Sequence, residues 1–308
     1  MLKHKIYIDK KESTTLKGIA ILLIIWGHIH SLDIIGLNVY HYHLAQFFIL
    51  PFFYNRTQNL TWDSLKKNLI SCFIPYTVFF IFCCIISYIA LGTKWQWWEY
   101  ILGYFNAPGY ETKQICGFVF PWFLLCYFFV LLYLSITNKY KWFAVIPILV
   151  GCICCVDFQN FTWNILFRND PFMLIRASYY FLMGTIAVFL FKYIPYFRIL
   201  GTMLFVILMV LMYKGIMWDN FIYGITGFAF FWQLSYWLKE IRFLNFIGKH
   251  SLYIYLTNVF IINALSLFIP YTILGGLIIC FLTIIITCLL AIIINKSRTI
   301  KLYIFGKT

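Results

Sequence analysis

Long apolar runs follow one another along almost the whole chain, and they constrain the fold more than any other feature. Residues 17–35, 38–54, 69–92, 117–137, 142–157, 173–192, 197–214, 219–237, 249–270 and 272–294 each carry a stretch close to the length that crosses a bilayer. The chain is 63% hydrophobic and only 11% charged, with a mean hydropathy of +0.86. A soluble domain keeps roughly 25% charged residues, so this chain lacks the polar side chains needed to cover a water-facing surface. The expectation is an all-α, polytopic transmembrane helical bundle of about ten spans. It reads as a single membrane domain over residues 1–308, with short tails at about 1–16 and 295–308. The first span follows a charged, polar start and is long enough to cross, so it reads as a span and not as a cleavable signal.

The formal charge of +14 is explained by topology. Lys and Arg gather in alternate short connections: Lys66 with Lys67, Lys139 with Lys141, Lys192 with Arg198, and Lys239 with Arg242 and Lys249. The starting segment (Lys3, Lys5, Lys10, Lys11) and the tail (Lys296, Arg298, Lys301) carry the same sign. Most acids, including Glu99, Glu111, Asp157, Asp170 and Asp219, fall in the other connections. The positive-inside rule then puts both termini in the cytoplasm. No basic run is interleaved with aromatics on a polar face, which excludes nucleic acid as the partner. Trp95, Trp97 and Trp98 beside Glu99 fit an aromatic belt at the outer interface. The ten cysteines lie mostly inside apolar runs and lack paired CxxC spacing, so they read as packing thiols.

Polar residues inside the apolar runs are the candidate site. Lys17 and His28 are eleven residues apart, within about 20° of three full helical turns, so they share one stripe about 16 Å long. Gly27 leaves room for close approach beside His28. His30 and Asp33 stand three apart and can pair with each other. His41 and His43 open the second run, which must return close to the first. Several imidazoles and a carboxylate are therefore expected to meet in the outer half of the bundle. A lone histidine in a span makes an interhelical hydrogen bond; a cluster also suits general base catalysis or a proton relay. Lys17 reads either as a snorkelling anchor at the inner rim or as a counter-charge for a phosphate-bearing ligand. Arg176, at the start of the sixth run on the outer side, is a second cation and reads either as a structural anchor or as a contact for an anionic acceptor. The histidine spacing is not the i, i+4 pair of a helical zinc motif, and no metal is expected.

Four stretches in order carry a resemblance. They are Lys17 and His28 with ten residues between them, HLAQFFIL at 43–50, LKKNLISCFIPY at 65–76 and IGKHSLYIYLTN at 247–258. With PWFL at 121–124, the set resembles the acyltransferase-3 family of integral membrane acyltransferases, which includes many O-acetyltransferases of bacterial surface polysaccharides and sugar precursors. The resemblance implies a multi-pass protein of the plasma membrane (the bacterial cell membrane) and no permanently bound cofactor. Acetyl-CoA, or another short acyl-CoA, would be the co-substrate, and the acceptor a glycan or glycolipid. It makes His28 the catalytic residue and puts Lys17, with Lys66 and Lys67 nearby, on the acyl-donor side. His30, Asp33, His43, Arg176 and Asn258 become candidates for binding the acceptor or orienting the imidazole. Three positions depart from the family pattern. Pro51 and Phe52 replace a small Ser-Gly, Asn68 and Ser71 replace a basic pair, and Asn258 replaces a late histidine.

The expected function is transfer of an acetyl or similar short acyl group from cytoplasmic acyl-CoA to a hydroxyl of a cell-surface polysaccharide or lipid-linked sugar. The competing expectation is a transporter or flippase of a lipid-linked glycan. That reading needs polar residues spread over many spans and broken helices at the midplane. The concentration of histidine in the first two spans favours the enzyme.

Overall fold

The computed structural model describes residues 7–35, 37–54, 60–90, 92, 96–105, 122–156, 173–216 and 220–306. Lys3, Lys5, Trp95, Glu111, Pro121, Asp157, Asp170 and Asp219 lie outside them, as do the side chains of Trp98 and Glu99. Among the described residues every regular element is helical. In chain order the helices are α1 (Lys10–Gly27), α2 (Ala45–Ile49), α3 (Trp62–Ala90), α4 (Trp97–Phe105), α5 (Trp122–Lys139), α6 (Val145–Val156) and α7 (Leu174–Tyr193). They continue with α8 (Phe197–Tyr213), α9 (Asn220–Leu238), α10 (Arg242–Lys249), α11 (Ser251–Ser266), α12 (Ile273–Lys296) and α13 (Arg298–Tyr303).

Helix is the element that satisfies its own backbone, which an apolar surrounding demands. Among the described residues four helices are long and apolar enough to cross a membrane: α3 over Trp62–Ile86, α5, α7 and α12. Shorter apolar helices include α8 and α11. Several hydroxyls within the helices are also satisfied locally. Thr226, Thr257, Thr287 and Ser266 each donate to the carbonyl four residues back, at 2.7, 2.8, 2.7 and 2.8 Å.

Two expected spans differ from single helices. The run 17–35 is helical only to Gly27, and a 3₁₀ turn at His30–Ile35 follows. The run 38–54 divides into a 3₁₀ turn at Val39–His41, the five-residue α2, and a second 3₁₀ turn at Leu50–Phe53. Asn38, at φ 40°, leaves the helical region, and Pro51 has no N–H to continue a ladder. Side chains add hydrogen bonds to carbonyls of this broken backbone. Tyr42 Oη donates to Leu37 O at 3.0 Å, His43 Nδ1 to Val39 O at 2.6 Å, and Gln46 Nε2 to Tyr42 O at 2.9 Å.

The chain forms two compact units. The first comprises residues 1–55 and 183–296. In it α8 packs along α9, α11 pairs with α12, and α1 lies against α9, α10 and α11. Aromatic side chains fill its core. Tyr42 stacks on Phe231 at 5.7 Å and meets Phe205 edge-on at 5.1 Å. Phe53 packs against Phe191, Phe228 and Trp232 with ring centroids 5.0–5.2 Å away. The second unit comprises residues 56–182 and 297–308. There α3 packs on α5 through Phe73 and Phe128, whose ring centroids are 5.1 Å apart. The hydroxyl of Tyr104 in α4 bonds with that of Thr77 in α3 at 2.7 Å. Phe305, just after α13, packs on Phe79 at 5.8 Å.

The crossing of α1 and α10 is a backbone contact. A Cβ on Gly18 would lie 2.3 Å from Leu244 O, and one on Gly248 would lie 1.8 Å from Thr14 O. Only glycine permits this approach, as at small-residue helix interfaces in membranes. Gly248→Ala is therefore expected to destabilise the protein by about 1–3 kcal/mol, the usual cost of overpacking. A lowered midpoint of thermal unfolding in detergent, followed by tryptophan fluorescence, is the expected result. An unchanged midpoint would remove this contact as a determinant of the fold.

Candidate active site

α1 carries Lys17 near its middle and His28 at its end. Its start is capped by Asp9, whose side chain accepts from Lys11 N at 3.2 Å. Its end is Gly27, and His28 is the residue that closes the last turn. The His28 N–H reaches Ile24 O at 3.1 Å and Ile25 O at 3.3 Å, with φ −83° and ψ −1°. Helical geometry therefore runs unbroken from Lys17 to the His28 backbone, and the expected shared stripe is present.

His28 is half-buried and meets the edge of Tyr40, with ring centroids 6.3 Å apart and planes at 77°. Tyr40 in turn meets His43, at 5.3 Å and 81°. One tyrosine thus stands between the two imidazoles, and its hydroxyl donates to Gly27 O. His43 is buried, 2% exposed. A carbonyl oxygen only accepts, so the bond from Nδ1 to Val39 O fixes the proton on Nδ1 and leaves the Nε2 lone pair free for a second partner in the neutral ring. His41 turns elsewhere. Its Nδ1 meets Asn220 Oδ1 at the start of α9, and its ring packs on Tyr223 at 5.7 Å. His30 Nδ1 lies 3.3 Å from Asp33 Oδ2, an exposed i, i+3 pair on the 3₁₀ turn. The imidazoles meet only in part. His28 and His43 share Tyr40, whereas the Asp33 carboxylate goes to His30. Among the described residues no three His, Cys, Asp or Glu side chains come together at metal-binding range.

Near the middle of α1, Lys17 is half-buried, with Nζ 5.5 Å from the centre of the Tyr54 ring. The Tyr54 hydroxyl is buried and has no hydrogen-bond partner among the described residues. One turn earlier, Glu12 is buried in the first turn of α1. Trp232 Nε1–H donates to Glu12 Oε2 at 2.8 Å, and Lys239 Nζ lies 3.7 Å from Oε1. Arg198 Nε donates to Gln233 Oε1 at 2.6 Å, and its guanidinium faces the rings of Trp232 and Tyr236 at 5.8 and 5.0 Å. Cations and aromatic rings therefore gather around Glu12 in the first turn of α1, and Lys17 follows farther along the same helix.

Asn258, in α11, is 0% exposed, and neither of its amide atoms has a hydrogen-bond partner among the described residues. Gln46 is also fully buried, with Oε1 lacking a partner. Leaving such groups unpaired costs about 1–3 kcal/mol each, which a polar ligand would relieve. Arg176, Lys66 and Lys67 belong to the second unit. Arg176 is buried, with its guanidinium over the Trp122 ring at 4.5 Å. Lys66 and Lys67 are exposed near the start of α3. Asn68, in the next position, has its carbonyl bonded by Ser71 Oγ at 3.0 Å.

Sequence reasoning missed Tyr40, Tyr54 and Glu12. Tyr40 had a signal in the alternation Tyr40-His41-Tyr42-His43, which puts rings among imidazoles. Glu12 had one as an acid in a chain with only ten Asp and Glu in total. Tyr54 had none.

Apolar helices of membrane-crossing length, with histidines gathered where the first long helix ends, define an integral membrane protein with a candidate proton-transfer site. A family model described as an acyltransferase domain matches residues 8–293, and the chain belongs to that family, acyltransferase-3. It is a membrane acyltransferase. No curated protein and no solved structure matches the chain.

Glu12→Ala should destabilise the protein by about 1–3 kcal/mol, because the Trp232 N–H is left buried without an acceptor. Glu12→Gln keeps an acceptor and should recover most of that loss. Thermal unfolding of both variants in detergent tests this; equal midpoints for wild type and Glu12→Ala would make the contact energetically silent.

Proposed function

We propose that this protein is an O-acyltransferase of the plasma membrane. It moves an acetyl or similar short acyl group from cytoplasmic acyl-CoA to a hydroxyl of a cell-surface polysaccharide or lipid-linked sugar. The observation that carries this reading is His28, held at the end of α1 against Tyr40, which His43 meets on its other side, and on the Lys17 stripe, in a chain of an acyltransferase family.

The donor docks with its phosphates toward Lys17, whose ammonium offers charge-assisted hydrogen bonds, with the unpaired Tyr54 hydroxyl beside it. The thioester reaches along α1 toward His28. As the acceptor hydroxyl attacks the thioester carbonyl, a nitrogen of His28 takes the hydroxyl proton. A C–O bond forms, the C–S bond breaks, and the proton passes from the imidazolium to the departing thiolate. The catalyst is returned unchanged, with one ester and one thiol as products. The exposed His30–Asp33 pair and the buried amide of Asn258 supply hydrogen bonds for acceptor hydroxyls. His43 is a further candidate for the same task.

The test is transfer of radiolabelled acetyl from acetyl-CoA into surface glycan by membranes carrying the chain. His28→Ala is expected to lose about a hundredfold or more in rate, the usual contribution of a general base. Lys17→Ala is expected to raise KM for the acyl donor about tenfold with a smaller change in kcat, as one charge-assisted bond is lost. Equal transfer by wild type and folded His28→Ala would overturn the reading. Wild-type membranes that move lipid-linked glycan without labelling it would favour a transporter instead.

A further inference from the structure

We propose that Tyr40 is a positioning residue that sets the His28 imidazole for acyl transfer, an inference that rests on the proposed role of His28. The peptide group joining Gly27 to His28 is planar, so its oxygen and its N–H move together. The N–H end is bonded back into α1, to Ile24 O at 3.1 Å. The oxygen end accepts from the Tyr40 hydroxyl. The last carbonyls of a helix have no partner within it, and this one is satisfied from outside by a side chain. The peptide that carries His28 is therefore held at both ends, one of them by Tyr40.

The same side chain acts on the imidazole itself. The edge-to-face contact between Tyr40 and His28 limits rotation of the histidine ring about its side-chain bonds. The opposite contact, with His43, fixes the tyrosine ring in turn. His43 is anchored to the carbonyl of Val39, the residue just before Tyr40. One 3₁₀ turn, Val39–His41, thus sets both histidines. Gly27 makes the approach feasible: a Cβ there would lie 2.7 Å from Val39 Cγ2 and 3.7 Å from the Tyr40 ring. Tyr40 is 47% exposed and so is not a packing residue of the core.

Two variants separate the hydroxyl from the ring. Tyr40→Phe keeps the ring contacts and removes the bond to Gly27 O; its kcat for acetyl transfer is expected to fall about tenfold with KM for acetyl-CoA unchanged, the effect of one net hydrogen bond. Tyr40→Leu removes both and is expected to lose more kcat than Tyr40→Phe, again without a shift in KM. A purely structural role would instead lower the unfolding midpoint and leave kcat per folded molecule intact. A second measurement does not need activity. Carbethoxylation of His28 by diethyl pyrocarbonate, followed by peptide mass spectrometry, is expected to quicken several-fold in both variants as the imidazole is freed. Wild-type kcat in both variants, with His28→Ala inactive, would overturn the positioning role alone. Failure of His28→Ala to affect transfer would overturn the general-base reading, and the carbethoxylation rates would then still decide whether Tyr40 holds His28. Unchanged rates would sink the proposal.

Discussion

Within hydrocarbon, a backbone N–H or C=O has no water to turn to, and each must find its partner in the chain. The described structure follows from that constraint. It favours helix wherever the chain runs apolar, and it makes every helix end a place where polar groups have to be supplied. α1 ends at Gly27, inside an apolar run, and the groups that meet its end come from the next turn of chain. The candidate catalytic histidine lies where this supply was needed. Chemistry and backbone satisfaction share one location because both require polar side chains in a place that otherwise has none.

α1 is fixed along its length by three contacts of different kinds. At its start a buried carboxylate, Glu12, takes the Trp232 N–H and faces Lys239. Near its middle, glycine brings its backbone against α10. At its end a tyrosine hydroxyl takes the Gly27 carbonyl. A helix held in this way keeps a constant separation between Lys17 and His28, about 16 Å by helical rise. That rigidity is what a donor bound at one end and reacting at the other would need. The Asn258 amide and Gln46 Oε1, which have no partner among the described residues, fit the same picture, since such buried groups are costly unless a ligand relieves them.

Helix positions were legible from hydropathy in most of the described chain. The runs read at 173–192, 197–214, 219–237 and 272–294 became Leu174–Tyr193, Phe197–Tyr213, Asn220–Leu238 and Ile273–Lys296. The Lys17–His28 register and the His30–Asp33 pair were also legible, because both depend on local geometry alone. The run 38–54 was read as one span and is instead two 3₁₀ turns around a short helix. Hydropathy averages over a window and does not register that Asn38 takes a left-handed conformation or that Pro51 has no N–H to give a ladder. The convergence of histidines was read too broadly, since proximity in sequence does not say which way a ring on a turn will face. His41 faces Asn220, and Asp33 serves His30.

By itself the sequence determined that this chain builds apolar helices, that a cation and an imidazole share one stripe of the first long helix, and that the acyltransferase-3 pattern is present. These are matters of composition, period and spacing, and they act within a few turns. The tertiary structure alone decided that Tyr40 stands between His28 and His43, that Trp232 closes on Glu12, and that Tyr54 lies beside Lys17. Trp232 and Glu12 are far apart in the chain, and the Tyr40–His28 and Tyr54–Lys17 contacts join different elements. Their geometry is set by how helices and turns pack together, which no local pattern encodes.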